Sequence, residues 1–339
     1  MNKLNWGIIG LGNIANIFAD AFKFSSYGNL KAIASKDRKK LNNFKKKFNI
    51  EDSFIFNNYD DLIKNPEVDI VYIALPNSLH LSIVLRCIDF NKRILVEKPA
   101  TINLKEAEEI KKKLNNNLFF SEAMMYKFHP QIFKTIDLIK NGSIGNLISM
   151  ETSFGHNILT SFNFFGFKKR KKINTDSRLF SKKLGGGAIL DLGCYGVSMS
   201  TLIASQTSQF KNVKVFNIKN EICLTGVDID SYVELKFDND FKSTIRASFL
   251  KNIGRQTIIK GTKGEIILKD TWLGQSSNII LKNKNFNKIK IDSLKNIYSS
   301  EIDFSSKFIL SNKTSLEYPL TDIDETIKNM KIIERWLNN

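Results

Sequence analysis

Cysteine and histidine are scarce in this chain, and their scatter limits the kinds of site it can build. Its 339 residues include 3 cysteines and 3 histidines. Cys87, Cys194 and Cys223 are odd in number and widely spaced, so they favour neither a disulfide framework nor a CxxC metal motif. The histidines do not have the spacing of metal ligands. The sequence therefore predicts no bound metal, and its cysteine usage suits the reducing cytoplasm.

Long apolar runs are also lacking. No uninterrupted run approaches the roughly 18 residues that a membrane span needs. The N-terminal stretch MNKLNWGIIGLGNIANIFADAF has asparagine and aspartate among its apolar residues, which makes it a poor signal peptide. We therefore expect a cytoplasmic protein that does not bind a membrane.

Acidic residues are outnumbered, 34 against 51 basic ones, which gives a net charge of +17. This excess favours anionic partners but carries no information about the fold. The densest basic run, KKRKK at residues 168–172, is interpreted as a solvated loop, with a phosphate or nucleic-acid contact as the alternative. The net charge is the one feature of the sequence that points to nucleic acid, and charge by itself does not predict such a partner. We therefore expect no nucleic-acid partner.

The N-terminal half has the pattern of a dinucleotide-binding domain. Nearly continuous apolar segments separated by helical patterns predict a parallel sheet covered on both faces. The first segment runs straight into GLGNIA, which fits GxGxxA and opens a helix. This context demands a tight turn, a close backbone approach to a pyrophosphate and a helix N-terminus aimed at that charge. We expect Gly10, Gly12, Asn13 and Ile14 at the pyrophosphate. The predicted strands are residues 4–9, 30–35, 70–75, 93–96 and 118–120.

The residues after the second predicted strand address the choice of cofactor. Ser35, Lys36 and Arg38 favour the 2′-phosphate of NADP(H). Asp37 keeps NAD(H) as the alternative, because an acid at this place accepts a hydrogen bond from the ribose 2′-hydroxyl. A third interpretation is that Asp37 and Arg38 merely begin the next helix.

The loops after the next two strands are expected at the same edge of the sheet, where ligands gather. Pro76 and Asn77 predict a loop over the cofactor, and His80 either faces the active site or caps the following helix. Glu97 and Lys98 precede a proline after the next strand. We place Glu97 at the cofactor, and Lys98 can hold a positive charge against a substrate oxygen or a phenol. An X-Pro bond also permits a cis peptide at modest cost.

The pattern changes after about residue 121, where period-two alternation predicts strands at 145–154, 231–237 and 243–249. GTKG at 261–264 predicts a hairpin, segment 278–297 a loop or edge strand, and Ile323–Leu337 an amphipathic helix. The sequence therefore predicts an α/β protein with a dinucleotide-binding domain at 1–121 and a substrate-binding and oligomerisation domain at 122–339. The second domain would hold a large, mostly antiparallel sheet. Such a sheet would expose an apolar face in a monomer, so we expect a homo-oligomer, a dimer or tetramer.

The order of the motifs resembles one known family. GLGNIA, PNSLH at 76–80, EKP at 97–99, EAMMYKFHPQ at 122–131 and GGGAILDLGCY at 185–195 together resemble the glucose–fructose oxidoreductase/inositol dehydrogenase family. The last two stretches most resemble the branch with dimeric dihydrodiol dehydrogenase and NADP-dependent D-xylose dehydrogenase. The resemblance covers nearly the whole chain but weakens after about residue 250, so it carries no substrate identity.

The resemblance implies a Rossmann domain followed by an α/β domain with a large, mostly antiparallel sheet. It also implies reversible hydride transfer between a nicotinamide and a sugar-like alcohol, which makes the chain an NAD(P)-dependent oxidoreductase. Lys98 matches the family's active-site lysine, Asp191 its substrate-binding acid and Tyr195 its proton donor. Many relatives have histidine where this chain has Tyr195.

The chemistry of these residues supports the same roles. Asp191 and Tyr195 are four residues apart behind a glycine run, so they share a helix face, and the glycines would let the chain pass close to cofactor or substrate. A cation such as Lys98 favours the phenolate of a tyrosine. Tyr195 could then move the hydroxyl proton while Asp191 orients the substrate. The alternative makes Asp191 a helix cap and Tyr195 a packed aromatic.

Three further residues are weaker candidates. Glu122 and His129 are expected to line the substrate cleft, and Arg178 could bind an anionic or polyhydroxylated substrate, although a structural role is favoured for each. Two other functions stay open: a keto-sugar reductase acting on a nucleotide-linked sugar, and a cofactor-binding regulator without turnover. The presence of both Lys98 and Tyr195 argues against the regulator.

Overall fold

A computed structural model describes residues 3–338 except 116, 163–167, 176, 207, 274–276, 312 and 314. The chain forms two compact units, one of Met1–Phe128 and Lys295–Ile327, the other of His129–Leu294 and Lys328–Asn339. The expected domains were contiguous, with a boundary at 121, so the structure differs in returning residues 295–327 to the first unit. The reason is a helix in this segment, where the Ser306 hydroxyl accepts a 3.1 Å hydrogen bond from the indole of Trp6.

The strands of the described residues are β1 (Leu4–Ile9), β2 (Gly28–Ala34), β3 (Ile55–Phe56), β4 (Ile70–Ile73), β5 (Arg93–Glu97), β6 (Phe120–Ala123), β7 (Leu147–Gly155), β8 (Thr160–Phe162), β9 (Lys168–Arg170), β10 (Val213–Ile222), β11 (Asp228–Phe237), β12 (Lys242–Ser248), β13 (Thr257–Gly261), β14 (Gly264–Leu268), β15 (Ser277–Lys282) and β16 (Phe286–Ile291). The α-helices are α1 (Asn13–Ala21), α2 (Arg38–Phe48), α3 (Tyr59–Lys64), α4 (His80–Asp89), α5 (Leu104–Lys113), α6 (Pro130–Lys140), α7 (Cys194–Ala204), α8 (Ile297–Leu310) and α9 (Ile323–Leu337).

The first unit is built on a parallel sheet with strand order β3-β2-β1-β4-β5-β6. The strands β1 and β4 at its centre are mostly apolar and buried, as expected of a parallel sheet that helices cover on both faces. The order reverses direction between β1 and β4, and in open α/β sheets ligands bind at such a switch point, outside the carboxyl ends of the strands. This confirms the predicted Rossmann sheet, although β6 begins at Phe120 rather than at residue 118.

The second unit contains an eight-stranded sheet with strand order β10-β11-β12-β7-β13-β14-β15-β16. Only the β12–β7 pair within it is parallel, which confirms the prediction of a mostly antiparallel sheet. Residues 261–264 form the expected turn between β13 and β14. In segment 278–297, β16 is an edge strand, as one of the two interpretations predicted.

The outward face of this sheet differs from the expectation. Along β11, Val233 and Leu235 are fully buried, whereas Glu234 and Lys236 are on the opposite face. Further charges on that face form ion pairs at Lys260–Glu151 (2.6 Å), Lys282–Glu265 (2.8 Å) and Lys251–Asp230. The expected apolar face is therefore wrong along β7, β11 and β12, where polar side chains alternate with the buried ones. A homo-oligomer stays a prediction that this face does not itself support.

Among the described residues, one segment, Lys182–Ala204, has the length and apolar composition of a membrane-crossing helix. Of its apolar 18-residue stretch, 83% is buried inside the protein. Burial of this kind is expected of a helix that forms part of a protein core.

Candidate active site

The glycine turn after β1 has the geometry that the motif predicts. Gly10 has φ +89°, and a Cβ there would lie 2.6 Å from the carbonyl oxygen of Ala74, so only glycine fits without strain. A Cβ on Gly12 would meet open space within 4 Å. Helix α1 begins at Asn13 without a side-chain cap in the described part of the chain. Its first N–H groups therefore form a site suited to a phosphate anion.

The loop after β2 uses its acid locally. Asp37 is the N-cap of α2, and its Oδ1 accepts hydrogen bonds from the N–H groups of Lys39 (2.9 Å) and Lys40 (3.1 Å). The Ser35 hydroxyl oxygen accepts a hydrogen bond from the Asp37 N–H at 3.1 Å. The structure thus agrees with the interpretation in which Asp37 starts the next helix.

The basic residues of the same loop are exposed. The ammonium group of Lys36 lies 5.6 Å from the centre of the Tyr59 ring. Arg38 lines a cavity of about 360 Å³ together with Phe56 and Asp61. Both cations are therefore accessible to an anionic ligand at the end of β2.

The loops after β4 and β5 are joined by a buried histidine. His80 is the first residue of α4; its Nδ1 lies 3.0 Å from the carbonyl oxygen of Pro99, and its Nε2 lies 2.9 Å from that of Leu75. Carbonyl oxygens accept hydrogen bonds, so a ring nitrogen of His80 that carries a proton donates to the carbonyl beside it. Asn77, in the same loop, is also buried. His80 therefore ties the Leu75 loop to the Lys98 loop rather than capping α4.

Lys98 follows a buried carboxylate. Glu97 Oε1 accepts a hydrogen bond from the Tyr72 hydroxyl, and Glu97 Oε2 accepts one from the Lys98 N–H at 3.2 Å. Burial raises the pKa of Tyr72 well above its ordinary value, and the negative charge of Glu97 raises it further, so the phenol stays a donor. The Lys98-Pro99 peptide bond is cis. In the structure Glu97 supports the Lys98 loop, and its contact with the cofactor stays a prediction.

In the second unit, the glycine run passes close to its own chain. A Cβ on Gly186 would lie 2.5 Å from the carbonyl oxygen of Arg178. Gly187 has φ +114°, and a Cβ there would collide with the carboxylate of Asp228. The described neighbours of Gly186 and Gly187 are protein groups, and the expected close approach of a cofactor or substrate to these glycines stays a prediction.

Asp228 is the partner that sequence reasoning missed. Its Oδ2 accepts hydrogen bonds from the N–H of Ile189 at 2.7 Å and from the hydroxyl of Ser231 at 3.1 Å. Burial raises the pKa of Asp228, and these hydrogen bonds oppose the rise. No local sequence pattern links Asp228 to a helix that begins about forty residues earlier, because the two come together only when the chain folds.

The turn that carries Asp191 is a π-helix, Ile189–Gly193, which leads directly into α7. Such turns occur often at functional sites. Both terminal nitrogens of Arg178 lie 3.3 Å from Asp191 Oδ1. The Arg178 side chain is 51% exposed and that of Asp191 15%. The structure therefore places Arg178 beside Asp191, and both are predicted site residues. The carboxylate that accepts a hydrogen bond from the first N–H group of this turn belongs to Asp228 and not to Asp191.

Tyr195 lies in the first turn of α7 in an aromatic pocket. Its ring centre lies 5.6 Å from that of Phe154 and 5.7 Å from that of Trp272. The residue is only 6% exposed. The Trp272 indole donates a 2.9 Å hydrogen bond to the Ser153 carbonyl, which fixes one wall of the pocket.

Two of the weaker candidates, Glu122 of the first unit and His129 at the start of the second, are buried. Glu122 is 3% and His129 0% exposed, so neither has the exposure expected of a residue lining a cleft. His129 is the N-cap of α6, and its Nδ1 accepts a 3.2 Å hydrogen bond from the Gln131 N–H. Among the described residues, no group of three or more His, Cys, Asp or Glu side chains could hold a metal ion.

Solved structures similar to this chain have the same fold. The aldose-aldose oxidoreductase from Caulobacter crescentus has a TM-score of 0.83 and 22% identity, with 99% of this chain and 96% of that chain covered. KijD10, a 3-ketoreductase from Actinomadura kijaniata solved with NADP and TDP-benzene, has a TM-score of 0.82 and 19% identity, with 98% and 96% covered.

Two relatives of this chain, similar to it in sequence, have the same enzyme name. Trans-1,2-dihydrobenzene-1,2-diol dehydrogenase of Xenopus tropicalis is 28% identical over 283 residues, which cover 82% of this chain and 79% of the relative. The human enzyme of the same name is 25% identical over 273 residues, covering 79% and 75%.

Family models match both halves of the chain. Residues 4–118 match the oxidoreductase family with an NAD-binding Rossmann fold, and residues 134–267 match the GFO/IDH/MocA C-terminal domain. These two matches include more than half of the sequence and confirm the resemblance drawn from its motifs. The chain therefore belongs to the GFO/IDH/MocA family of oxidoreductases.

Proposed function

We propose that this oxidoreductase transfers a hydride between NADP(H) and a carbon bearing a hydroxyl or carbonyl group in a small sugar-like molecule, an aldose or diol. The observation that carries the proposal is the Gly10–Gly12 turn, which leaves the N-terminus of α1 open to a pyrophosphate at the switch point of a parallel sheet. A screen of aldoses, diols and keto-sugars with both cofactors, read by nicotinamide absorbance, tests it. Failure to bind either cofactor in a calorimetric titration would contradict it.

The preference for NADP(H) is supported by the loop after β2. Asp37 is engaged in capping α2, whereas Lys36 and Arg38 are exposed. Two cations beside an occupied acid suit a 2′-phosphate better than a free ribose hydroxyl. We therefore propose tighter binding of NADPH than of NADH, with NAD(H) as the alternative cofactor. A titration in which NADH binds more tightly would overturn the preference.

We assign the proton transfer to Tyr195 and its support to Lys98 and Asp191. Bound nicotinamide supplies or accepts the hydride. A free phenol, with a pKa of about 10, is a weak acid–base group at neutral pH, and a nearby ammonium favours its phenolate. Tyr195 takes the hydroxyl proton during oxidation and returns it during reduction, while Lys98 stabilises the negative oxygen. Asp191, with Arg178 paired to it, accepts from a neighbouring substrate hydroxyl.

A second candidate is a keto-sugar reductase that acts on a nucleotide-linked sugar. The observation that favours it is the exposed basic segment after β8, which includes Lys169, Lys171 and Lys172. The side chains of Lys168 and Arg170 in this run lie outside the described residues. Comparing kcat/KM for free and nucleotide-linked forms of one sugar separates the two candidates. The value is higher for the nucleotide-linked form only if the site binds its phosphate groups.

The cysteines support a reducing compartment. Cys87, Cys194 and Cys223 are buried and form no disulfide bond among the described residues, and burial raises the pKa of Cys87 to about 12. Thiols held in this way are unreactive. The cytoplasmic location remains a proposal, and fractionation of the native cell would test it.

A further inference from the structure

The Lys98 loop is bound by a carboxylate from the neighbouring strand. Glu122 lies on β6, directly opposite Val96 of β5. Its Oε1 accepts a 3.0 Å hydrogen bond from the N–H of Ala100, two residues after Lys98. Ala100 is fully buried and Glu122 is 3% exposed, so water does not compete for this contact.

Glu122 is in turn held by residues at the start of α9. The Thr326 hydroxyl donates a 2.8 Å hydrogen bond to Glu122 Oε2, and the Glu122 N–H donates a 2.9 Å hydrogen bond to the Thr321 carbonyl. Lys127, fully buried, donates to the Thr321 hydroxyl at 2.9 Å and to Glu325. The carboxylate of Glu122 therefore has both oxygens occupied and little freedom to move.

We infer that Glu122 is a positioning residue that fixes the course of the Lys98 loop, and through it the place of the Lys98 ammonium. This inference rests on the proposed catalytic role of Lys98. A short loop has little freedom to move when three successive backbone groups in it are hydrogen-bonded. Here Glu97 accepts from the Lys98 N–H, His80 binds the Pro99 carbonyl and Glu122 accepts from the Ala100 N–H.

The alternative is that Glu122 only stabilises the fold. Its burial has a cost, because desolvation raises the pKa of Glu122 above its ordinary value despite the hydrogen bonds from Ala100 and Thr326. A carboxylate kept in the core at such a cost for packing alone would be replaceable by an apolar side chain of similar length. A positioning carboxylate would be replaceable only by a side chain that keeps the acceptor.

Three variants separate these alternatives. Glu122→Met removes the acceptor and keeps the length, whereas Glu122→Gln keeps an oxygen for the Ala100 N–H. The matched control is Glu106→Met in α5, where Glu106 Oε2 accepts a 3.0 Å hydrogen bond from the Ile102 N–H. The control removes the same kind of carboxylate–amide hydrogen bond from the first unit without touching Ala100.

Steady-state kinetics and cofactor titration are measured for each variant on the best substrate of the screen. We expect kcat of Glu122→Met to fall about 100-fold, the scale of a displacement of about 1 Å in a catalytic group, while the Kd of NADPH stays within about threefold. Glu122→Gln should recover most of kcat, and Glu106→Met should keep the wild-type value. Equal kcat in the two methionine variants, or a glutamine variant as slow as Glu122→Met, would overturn the inference.

Two further measurements keep the test decisive. If Glu122→Met does not fold, Thr326→Val replaces it, because this change removes the donor that holds Glu122 Oε2; an unchanged kcat there also overturns the inference. Exchange of the Ala100 amide, followed by NMR, should accelerate in Glu122→Met and not in Glu106→Met, independently of turnover. Lys98→Met distinguishes the failures: an active Lys98→Met removes the proposed catalytic role of Lys98 and this inference with it, whereas an inactive Lys98→Met beside an active Glu122→Met removes the inference alone.

Discussion

Glu301, a buried acid in α8, makes the stability of the first unit depend on pH in a direction that can be measured. Glu301 is 0% exposed, and neither of its carboxylate oxygens has a hydrogen-bond partner among the described residues. Burial raises its pKa well above the ordinary 4.5, and the negative charge of Glu97 raises it further. A raised pKa in the folded state gives stability that is fully present below the unfolded pKa and is lost as the pH rises towards the folded one.

The variant Glu301→Gln has no carboxyl group at position 301 that ionises in the unfolded chain. Each pH unit between the unfolded and the folded pKa costs the wild type about 1.4 kcal/mol that the variant does not lose. For a unit of this size, that corresponds to a difference in melting temperature that widens by about 3–5 °C per pH unit. The difference begins to grow near pH 5 and becomes constant above the folded pKa.

The assay is differential scanning calorimetry of wild type and Glu301→Gln at several pH values from 4.5 to about 8. Glu108→Gln, at an exposed position of α5, is the matched control and should keep a constant offset from the wild type at each pH. Parallel curves for Glu301→Gln and wild type across pH 5–7 would refute the reasoning, since they would mean that the pKa of Glu301 is the same in the folded and the unfolded chain.

Three other changes test the remaining assignments. Gly187→Ala should lower the melting temperature by several degrees, because φ +114° and the Asp228 carboxylate both exclude a Cβ; an unchanged calorimetric transition would refute this account of the glycine run. Lys36→Glu should weaken NADPH binding at least about tenfold and leave NADH binding nearly unchanged in a calorimetric titration, and an equal loss for both cofactors would argue against a 2′-phosphate contact. Arg178→Ala should raise KM more than it lowers kcat, since Arg178 pairs with the proposed substrate-binding Asp191; a fall in kcat alone would contradict that role.

Local patterns in the sequence were enough for five of the six strands of the parallel sheet and for the position of its glycine turn, whereas the two-residue strand β3 was not predicted. The strand β1 and the helix α9 have the predicted bounds, because a continuous apolar run and a helical period are properties of neighbouring residues. The spacing of Asn103 and Glu106 at the start of α5 is likewise a local pattern, typical of a capping box, and Asn103 Oδ1 accepts a hydrogen bond from the Glu106 N–H at 2.9 Å.

Contacts between distant parts of the chain could not be read in this way. Helix α8 belongs to the first unit although about 170 residues of the second unit precede it, so a contiguous boundary was the natural but incorrect expectation. Asp228, which lies against Gly187, is on β11, and Glu122, which accepts a hydrogen bond from the Ala100 N–H, is on β6. Each of these strands comes later in the chain than the residue that it contacts, so no local pattern links the two. A carboxylate two residues after the predicted apolar strand 118–120 was the available signal for Glu122.

The central claim is that Lys98 and Tyr195 serve one proton-transfer step. The most direct test is a double-mutant cycle of kcat/KM with Lys98→Met, Tyr195→Phe and the combined variant, with NADPH binding measured for each. Residues that act as a unit are not additive, so we predict losses of about 100-fold or more in each single variant and nearly the same loss in the combined one. Losses that multiply in the combined variant, or a Tyr195→Phe enzyme with wild-type kcat/KM, would contradict the claim.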